Sequence, residues 1–135
     1  AWFSLKAKKP GWLRDGKVDI ILQTGLTKAP DLPYMPQLID FARNEEERKM
    51  ATLLELGSPV GWGLSVPPGV SKAKVAALRG AFDKMLVDKA FIKDAYAKHS
   101  MVDGASGQFV QKAVNQALSA DPKLVKKLRS LVGFK

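Results

Sequence analysis

The chain has 135 residues, 46% of them hydrophobic, and a formal net charge of +9 at pH 7. This length fits one domain or part of one, and no segment reaches the roughly 18 apolar residues of a membrane span. The sequence has no cysteine and one histidine. Thiol catalysis, disulfides and metal sites built on cysteine or on several histidines are therefore excluded. The lysines fall singly among apolar residues, without basic runs or stacking aromatics, so we expect no nucleic-acid groove.

The first predicted strand follows a short lead-in. Residues 1–16 predict a partly helical segment in which Pro10 suits a first helical turn. Alternating Val18, Ile20 and Leu22, with Ile21 on the other face, then predict a strand over Lys17–Thr24. An apolar strand of this kind is covered on both sides, as in a parallel sheet.

A long loop and a capped helix come next. Three prolines in seven residues keep the loop at 25–38 extended, and a short helical turn is expected to end at Phe41. Asn44 and Glu47 predict a capping box for a helix that buries a stripe of Met50, Leu53 and Leu54. The acidic first turn suits the helix dipole better than a metal, whose carboxylate ligands converge from several elements.

The second predicted strand, Val60–Val66, stops at a Pro-Pro-Gly step, and only helices follow it. Proline removes backbone donors, so the chain turns sharply there. Helices are predicted after four capping residues, namely Ser71, Asp88, Ser106 and Asp121.

These elements predict an α/β fold class with few strands and several helices. We expect a strand–loop–helix–strand unit at 17–66 and a C-terminal helical segment at 71–135, within one partial domain over 1–135. Two strands alone make a poor sheet, so the missing strands are expected in a part of the protein outside this sequence or in an associated chain. If the missing strands belong to a second lobe, Val60–Val70 crosses from one lobe to the other. Gly61, Trp62 and Gly63 would then lie near the hinge between the two lobes.

Candidate chemistry is sparse, and no catalytic residue, metal site or cofactor is predicted. His99 stands at a helix end without a nucleophile motif, and the glycine turns match no phosphate loop. The best binding candidates are Gln23, Thr24 and Gly25 at the carboxyl end of the first strand, where α/β sheets bind ligands. They offer an amide, a hydroxyl and a close backbone N–H to an anion. The alternative is that Gln23 and Thr24 only satisfy backbone groups of the loop.

Several motifs in order resemble a known family across residues 12–132. They are Gly16-Lys17-Val18, Leu32-Pro33-Tyr34-Met35-Pro36, the acidic-capped helix, Val66-Pro67-Pro68-Gly69-Val70, the helix pair at Val75–Phe91, and Ser106-Gly107-Gln108-Phe109. In this combination the sequence resembles the C-terminal half of the extracytoplasmic solute receptors of tripartite tricarboxylate transporters.

The resemblance implies a lobe of a type II periplasmic-binding-protein-like fold and a periplasmic location. It implies capture of a small organic anion, a carboxylate in this family, and delivery to the membrane permease subunits without chemistry, so the protein is not expected to be an enzyme. Only the strand end at Gln23–Gly25 carries over, and Gln-Thr-Gly stands where many members have a small-residue Ala-Val-Thr run. A lobe without its partner is expected to form homodimers. The alternative function is a basic interaction module that binds nucleic acid or a protein partner.

Overall fold

The computed structural model describes residues 2–133, and helix is the dominant secondary structure. Helix makes up 57% of the structure and strand 2%. Two 3₁₀ turns, Leu38–Phe41 and Ser58–Val60, precede and follow the third helix. The α-helices are α1 (Trp2–Lys8), α2 (Pro10–Arg14), α3 (Glu45–Glu55), α4 (Lys72–Leu86), α5 (Lys89–Ala97), α6 (Gly107–Leu118) and α7 (Pro122–Leu131).

The chain divides into two compact units that alternate along the sequence. The first unit contains Ala1–Asp19 and Leu64–Gly107, and the second contains Ile20–Gly63 and Gln108–Lys135. The first unit therefore holds α1, α2, α4 and α5. The second holds α3, both 3₁₀ turns, α7 and all of α6 after its first residue.

The predicted α/β fold, a lobe of the type II periplasmic-binding class, is wrong, because no sheet forms within residues 2–133. The strand predicted at Lys17–Thr24 is reduced to one parallel bridge between Gln23 and Gln37. In this bridge the Gln23 N–H donates to the Pro36 carbonyl at 2.9 Å, and the Leu38 N–H donates to the Gln23 carbonyl at 3.1 Å.

The bridge cannot extend into a ladder in either direction. Towards the N-terminus, the next rung of a parallel pair needs an N–H at position 36, and proline has none. Towards the C-terminus, the Gly25 carbonyl already accepts from the Gln37 side chain at 2.8 Å. The Asp40 N–H donates to the Gln37 carbonyl at 3.0 Å instead of crossing to Gly25. The segment before Gln23 therefore stays unpaired among the described residues, and Ile21 is 78% exposed.

The second predicted strand, Val60–Val66, is also wrong for the described structure. The chain forms the 3₁₀ turn Ser58–Val60, and the Gly63 N–H donates to the Val60 carbonyl at 3.1 Å. Trp62 is fully exposed. An extended apolar run becomes a strand only where another strand satisfies its backbone groups, and the described part of the chain supplies none.

Four of the five predicted caps are confirmed at the helix starts, and the cap at Ser106 stays a prediction. Each of the four confirmed caps accepts a hydrogen bond from a backbone N–H in the first turn of its helix, as short polar N-caps do. The pairs are Asn44 with Glu47, Ser71 with Lys74, Asp88 with Phe91, and Asp121 with Lys123. Pro10 and Pro122 occupy the first turns of α2 and α7, where the missing N–H has no cost because first-turn donors lack helical partners.

The capping box predicted for α3 forms with one change of partner. Asn44 Oδ1 accepts from the Glu47 N–H at 2.9 Å, but Glu47 Oε2 accepts from the Arg43 N–H at 2.8 Å rather than from Asn44. The Arg43 guanidinium pairs with Glu47 Oε1 at 2.9 Å. Hydrogen bonds from the Arg43 side chain and backbone lower the pKa of Glu47. The Glu47 carboxylate therefore accepts its hydrogen bonds at the N-terminus of α3.

All residues that the structure describes as buried lie in the second unit. Its apolar core contains Leu32, Met50, Ala51, Leu56 and Ala113, which are 2–8% exposed. Leu54, predicted to share the buried face of α3, is 44% exposed, and the buried face continues to Glu55 instead. None of the described residues of the first unit is buried, so the apolar faces of α4 and α5 have no core of their own.

His99 ends α5 in a backbone conformation that usually requires glycine. Its φ is 54°, in the left-handed region. The His99 N–H donates to the Tyr96 carbonyl at 3.0 Å, and the Ser100 N–H donates to the Ala95 carbonyl at 2.9 Å. These two bonds form a Schellman motif with histidine at the position that glycine favours.

Replacing His99 with glycine should raise the free energy of unfolding by about 1 kcal/mol, because a side chain in the left-handed region costs roughly 1–2 kcal/mol. Urea denaturation measures this difference. The control His99→Ala keeps the Cβ and should give no comparable gain. Equal stabilisation by alanine would show that the imidazole, rather than the backbone conformation, causes the cost.

Candidate functional site

The predicted binding residue Gln23 lies at the centre of a hydrogen-bonded loop. Its Nε2 donates to the Leu32 carbonyl at 2.8 Å and to the Met35 carbonyl at 2.9 Å, and its Oε1 accepts from the Ala29 N–H at 2.8 Å. Both amide hydrogens are thus used on the backbone of the loop. Together with the bridge to residue 37, these contacts close residues 23–38 into one unit, which we call the proline loop.

A second amide fixes the start of the proline loop. Gln37 Nε2 donates to the Gly25 carbonyl at 2.8 Å. Gly25 is buried and has a φ of 144°, a conformation that residues with a Cβ rarely adopt. Its conformation and burial therefore make glycine necessary at the point where the chain leaves the bridge.

Thr24 differs from its two neighbours because its side chain is outside this network. The residue is exposed, and its hydroxyl makes no hydrogen bond within residues 2–133. On the same loop, Lys28 Nζ lies 3.4 Å from the Pro33 carbonyl in an exposed position. Of the three predicted binding residues, Thr24 is thus the one whose polar side chain faces solvent, and the loop also carries an exposed ammonium group.

Sequence analysis missed a buried carboxyl group behind this loop. Glu55, at the end of α3, is 5% exposed, and its Oε1 has no hydrogen-bond partner in the described structure. Burial raises the pKa of Glu55, the negative charge of Asp40 raises it further, and the Gly25 N–H opposes both by favouring the ionised form. The available signal was spacing, because Glu55 is four residues after the buried Ala51 and shares its helix face.

The predicted hinge residues lie in the turn after the second 3₁₀ segment. Gly61 and Trp62 continue the turn, and Gly63 closes it with the bond to Val60. The chain passes from the second unit to the first between Gly63 and Leu64. The hinge itself stays a prediction, since this placement gives no measure of motion.

Other classes of site find little support in the described residues. No group of three His, Cys, Asp or Glu side chains there could hold a metal ion. His99 is exposed at its helix end. No helix between residues 2 and 133 combines the length and the apolar character that crossing a membrane requires.

A surface groove lies away from the proline loop, along α6 and α7. Its volume is about 880 Å³, and its lining includes Leu118, Val125, Lys126 and Arg129. A smaller groove of about 520 Å³ runs between α3 and α7. The ion pair between Lys127 and Glu46, 2.6 Å long, joins the two helices there. Both grooves are open surfaces between helices of the second unit.

Comparison with known proteins identifies no relative: no family model, no curated protein and no solved structure matches the chain. The resemblance to the tripartite receptors therefore stays a prediction from the sequence motifs.

Replacing Gln23 with methionine, which has a similar length and no amide, should destabilise the protein by about 2–4 kcal/mol, because three hydrogen bonds of about 0.5–1.5 kcal/mol each are lost. Chemical denaturation measures the loss. The matched control Gln116→Met, at an exposed position of α6, should change stability by less than about 0.5 kcal/mol. Equal effects of the two variants would contradict the central role of the Gln23 amide.

Proposed function

We propose that the chain captures a small organic anion, a carboxylate, as part of a receptor that serves a tripartite transporter. The observation that carries this proposal is the proline loop. The Leu32 and Met35 carbonyls, which accept from Gln23, belong to the Leu-Pro-Tyr-Met-Pro motif of the resemblance. One motif of the resemblance is therefore hydrogen-bonded to the position, Gln23, that the resemblance marks as the ligand-binding strand end, which supports treating the two as one site.

Binding at the proline loop would use groups that folding leaves accessible. The Thr24 hydroxyl can donate to a carboxylate oxygen, and the exposed Lys28 ammonium adds a local positive charge. The net charge of +9 attracts anions to the protein at longer range. Because Gln23 and Gln37 already fix the backbone, little ordering is required when a ligand binds.

The proposed role ends with binding and delivery, and no bond of the ligand is made or broken. The partners are a small organic anion and the permease subunits of the transporter, in a periplasmic location. These partners and this location rest on the sequence resemblance.

A panel of di- and tricarboxylates at millimolar concentration should raise the melting temperature of the protein. A ligand at 100 times its Kd adds about 2.7 kcal/mol of stability, and differential scanning fluorimetry detects the resulting shift of several degrees. Thr24→Val should abolish the shift, while the control Thr24→Ser keeps the hydroxyl and should retain it. Absence of a shift with every carboxylate would overturn the proposed function, and a full shift in Thr24→Val would overturn the assignment of Thr24.

A second candidate function is an interaction module that binds protein, here a second copy of the chain. The observation that favours it is the uncovered apolar surface of the first unit. Leu78 on α4 is 56% exposed, and Phe91 and Tyr96 on α5 are 38% and 55% exposed. Apolar faces that lack a core commonly mark interfaces.

Light scattering should then give twice the monomer mass of 14.7 kDa at micromolar concentration. Leu78→Lys places a charge in this surface and should return the protein to a monomer. Leu118→Lys, at an 82% exposed position of the second unit, is the control and should leave the dimer intact. A monomeric wild-type protein would exclude this candidate function.

A further inference from the structure

Glu55 is a buried acid without a matching cation. The residue is 5% exposed, and its Oε1 is fully buried and lacks a hydrogen-bond partner in the described structure. The Gly25 N–H interacts favourably with the ionised carboxylate. An ionised carboxylate in this position loses most of its hydration and gains only one backbone donor in return. Burial therefore disfavours the ionised form.

The charged groups around Glu55 do not correct this imbalance. Asp40, on the first 3₁₀ turn, adds a negative charge whose field acts on the carboxyl. On the proline loop, Lys28 and Asp31 are exposed. The helix α7 packs against α3. Its Lys127 pairs with Glu46, which lies at the end of α3 opposite to Glu55. The basic residues of α3 itself, Arg48 and Lys49, are exposed one to two turns earlier.

We propose that Glu55 is a proton-sensitive latch that holds the start of the proline loop. In its neutral form the carboxyl stays buried against Gly25, and the loop remains closed. Ionisation drives the carboxylate towards water, which separates it from Gly25 and loosens the backbone next to Thr24. The latch is positioned by α3, whose cap at Asn44 and buried Met50 fix the helix in the second unit.

The direction of the pH effect follows from linkage. Burial raises the pKa of Glu55 in the closed state above its ordinary value, so the closed state binds the proton more tightly than the open state. Closure is therefore favoured at acidic pH and lost as the pH rises through the pKa of the closed state. One proton changes the opening equilibrium by up to about tenfold per pH unit between the two pKa values.

The latch also bears on the proposed anion capture, and this consequence rests on that proposed function. An ionised Glu55 loosens the backbone beside Thr24 and adds a negative charge behind it. Both effects weaken the binding of a carboxylate, so affinity should fall as the pH rises.

Amide hydrogen exchange of the ligand-free protein tests the latch independently of any anion. The reporters are the N–H groups of Gly25, beside Glu55, and of Ala29, which donates to Gln23. After correction for intrinsic exchange, their protection should fall as the pH rises from 5 to 8, by up to about tenfold per pH unit while the pH lies between the pKa values of the open and closed states. A carboxyl titration of Glu55 by NMR should follow the same midpoint.

Two variants decide the interpretation. Glu55→Gln cannot ionise and should keep the loop protected across the whole pH range, while Glu45→Gln, at an exposed position in the first turn of α3, should behave as the wild type. Protection that is independent of pH in the wild type, or equally dependent on pH in Glu55→Gln, would overturn the latch. If Glu55→Gln fails to fold, the NMR titration in the wild type decides, since a midpoint at the ordinary glutamate value overturns the proposal.

Discussion

The hydrogen bonds of the Gln23 side chain are the interaction on which the second unit depends. Prolines at 30, 33 and 36 deprive the loop of backbone donors, so its carbonyls cannot be satisfied by regular secondary structure. Gln23 satisfies two of these carbonyls and one loop N–H. Leu32, whose carbonyl it binds, is among the most buried residues of the chain. One amide thereby joins the loop to the core.

The same prolines explain why a sheet does not develop around Gln23. A single bridge uses the donor of Leu38 and the acceptor of Pro36, and the next rung requires the N–H that Pro36 lacks. The loop is consequently stiff without being part of a sheet. Rigidity of this kind fits the proposed anion capture, in which a fixed backbone would present Thr24 and Lys28 without a large entropic cost.

The buried face of α3 connects the loop to a titratable group. The buried face formed by Met50 and Ala51 continues along the helix to Glu55, whose carboxyl interacts with the Gly25 N–H. The amides of Gln23 and Gln37 therefore hold the proline loop, and in the proposed latch the carboxyl of Glu55 holds its start as well. The amides hold at any physiological pH, whereas the proposed latch holds only while Glu55 is neutral.

The two units differ in how far local sequence accounts for them. In the first unit, α4 and α5 have their predicted caps, but their apolar faces are at most partly buried, and Leu78, Phe91 and Tyr96 are exposed. Helices of this length gain most of their stability from packing. The first unit therefore has its predicted helix starts but no buried residue among those that the structure describes.

The sequence by itself determined the helix starts. Asn44, Ser71, Asp88 and Asp121 were predicted correctly because a cap and the N–H it binds lie within three residues of each other. The strands were predicted wrongly because a strand needs a distant partner, and alternation of apolar residues does not say whether one exists. Only the tertiary structure decided that Gln23 turns inwards to its loop, that Thr24 faces solvent and that Glu55 is buried. The first two outcomes depend on groups many residues apart in the chain, whereas for Glu55 the spacing from Ala51 was a local signal that its acidic character outweighed.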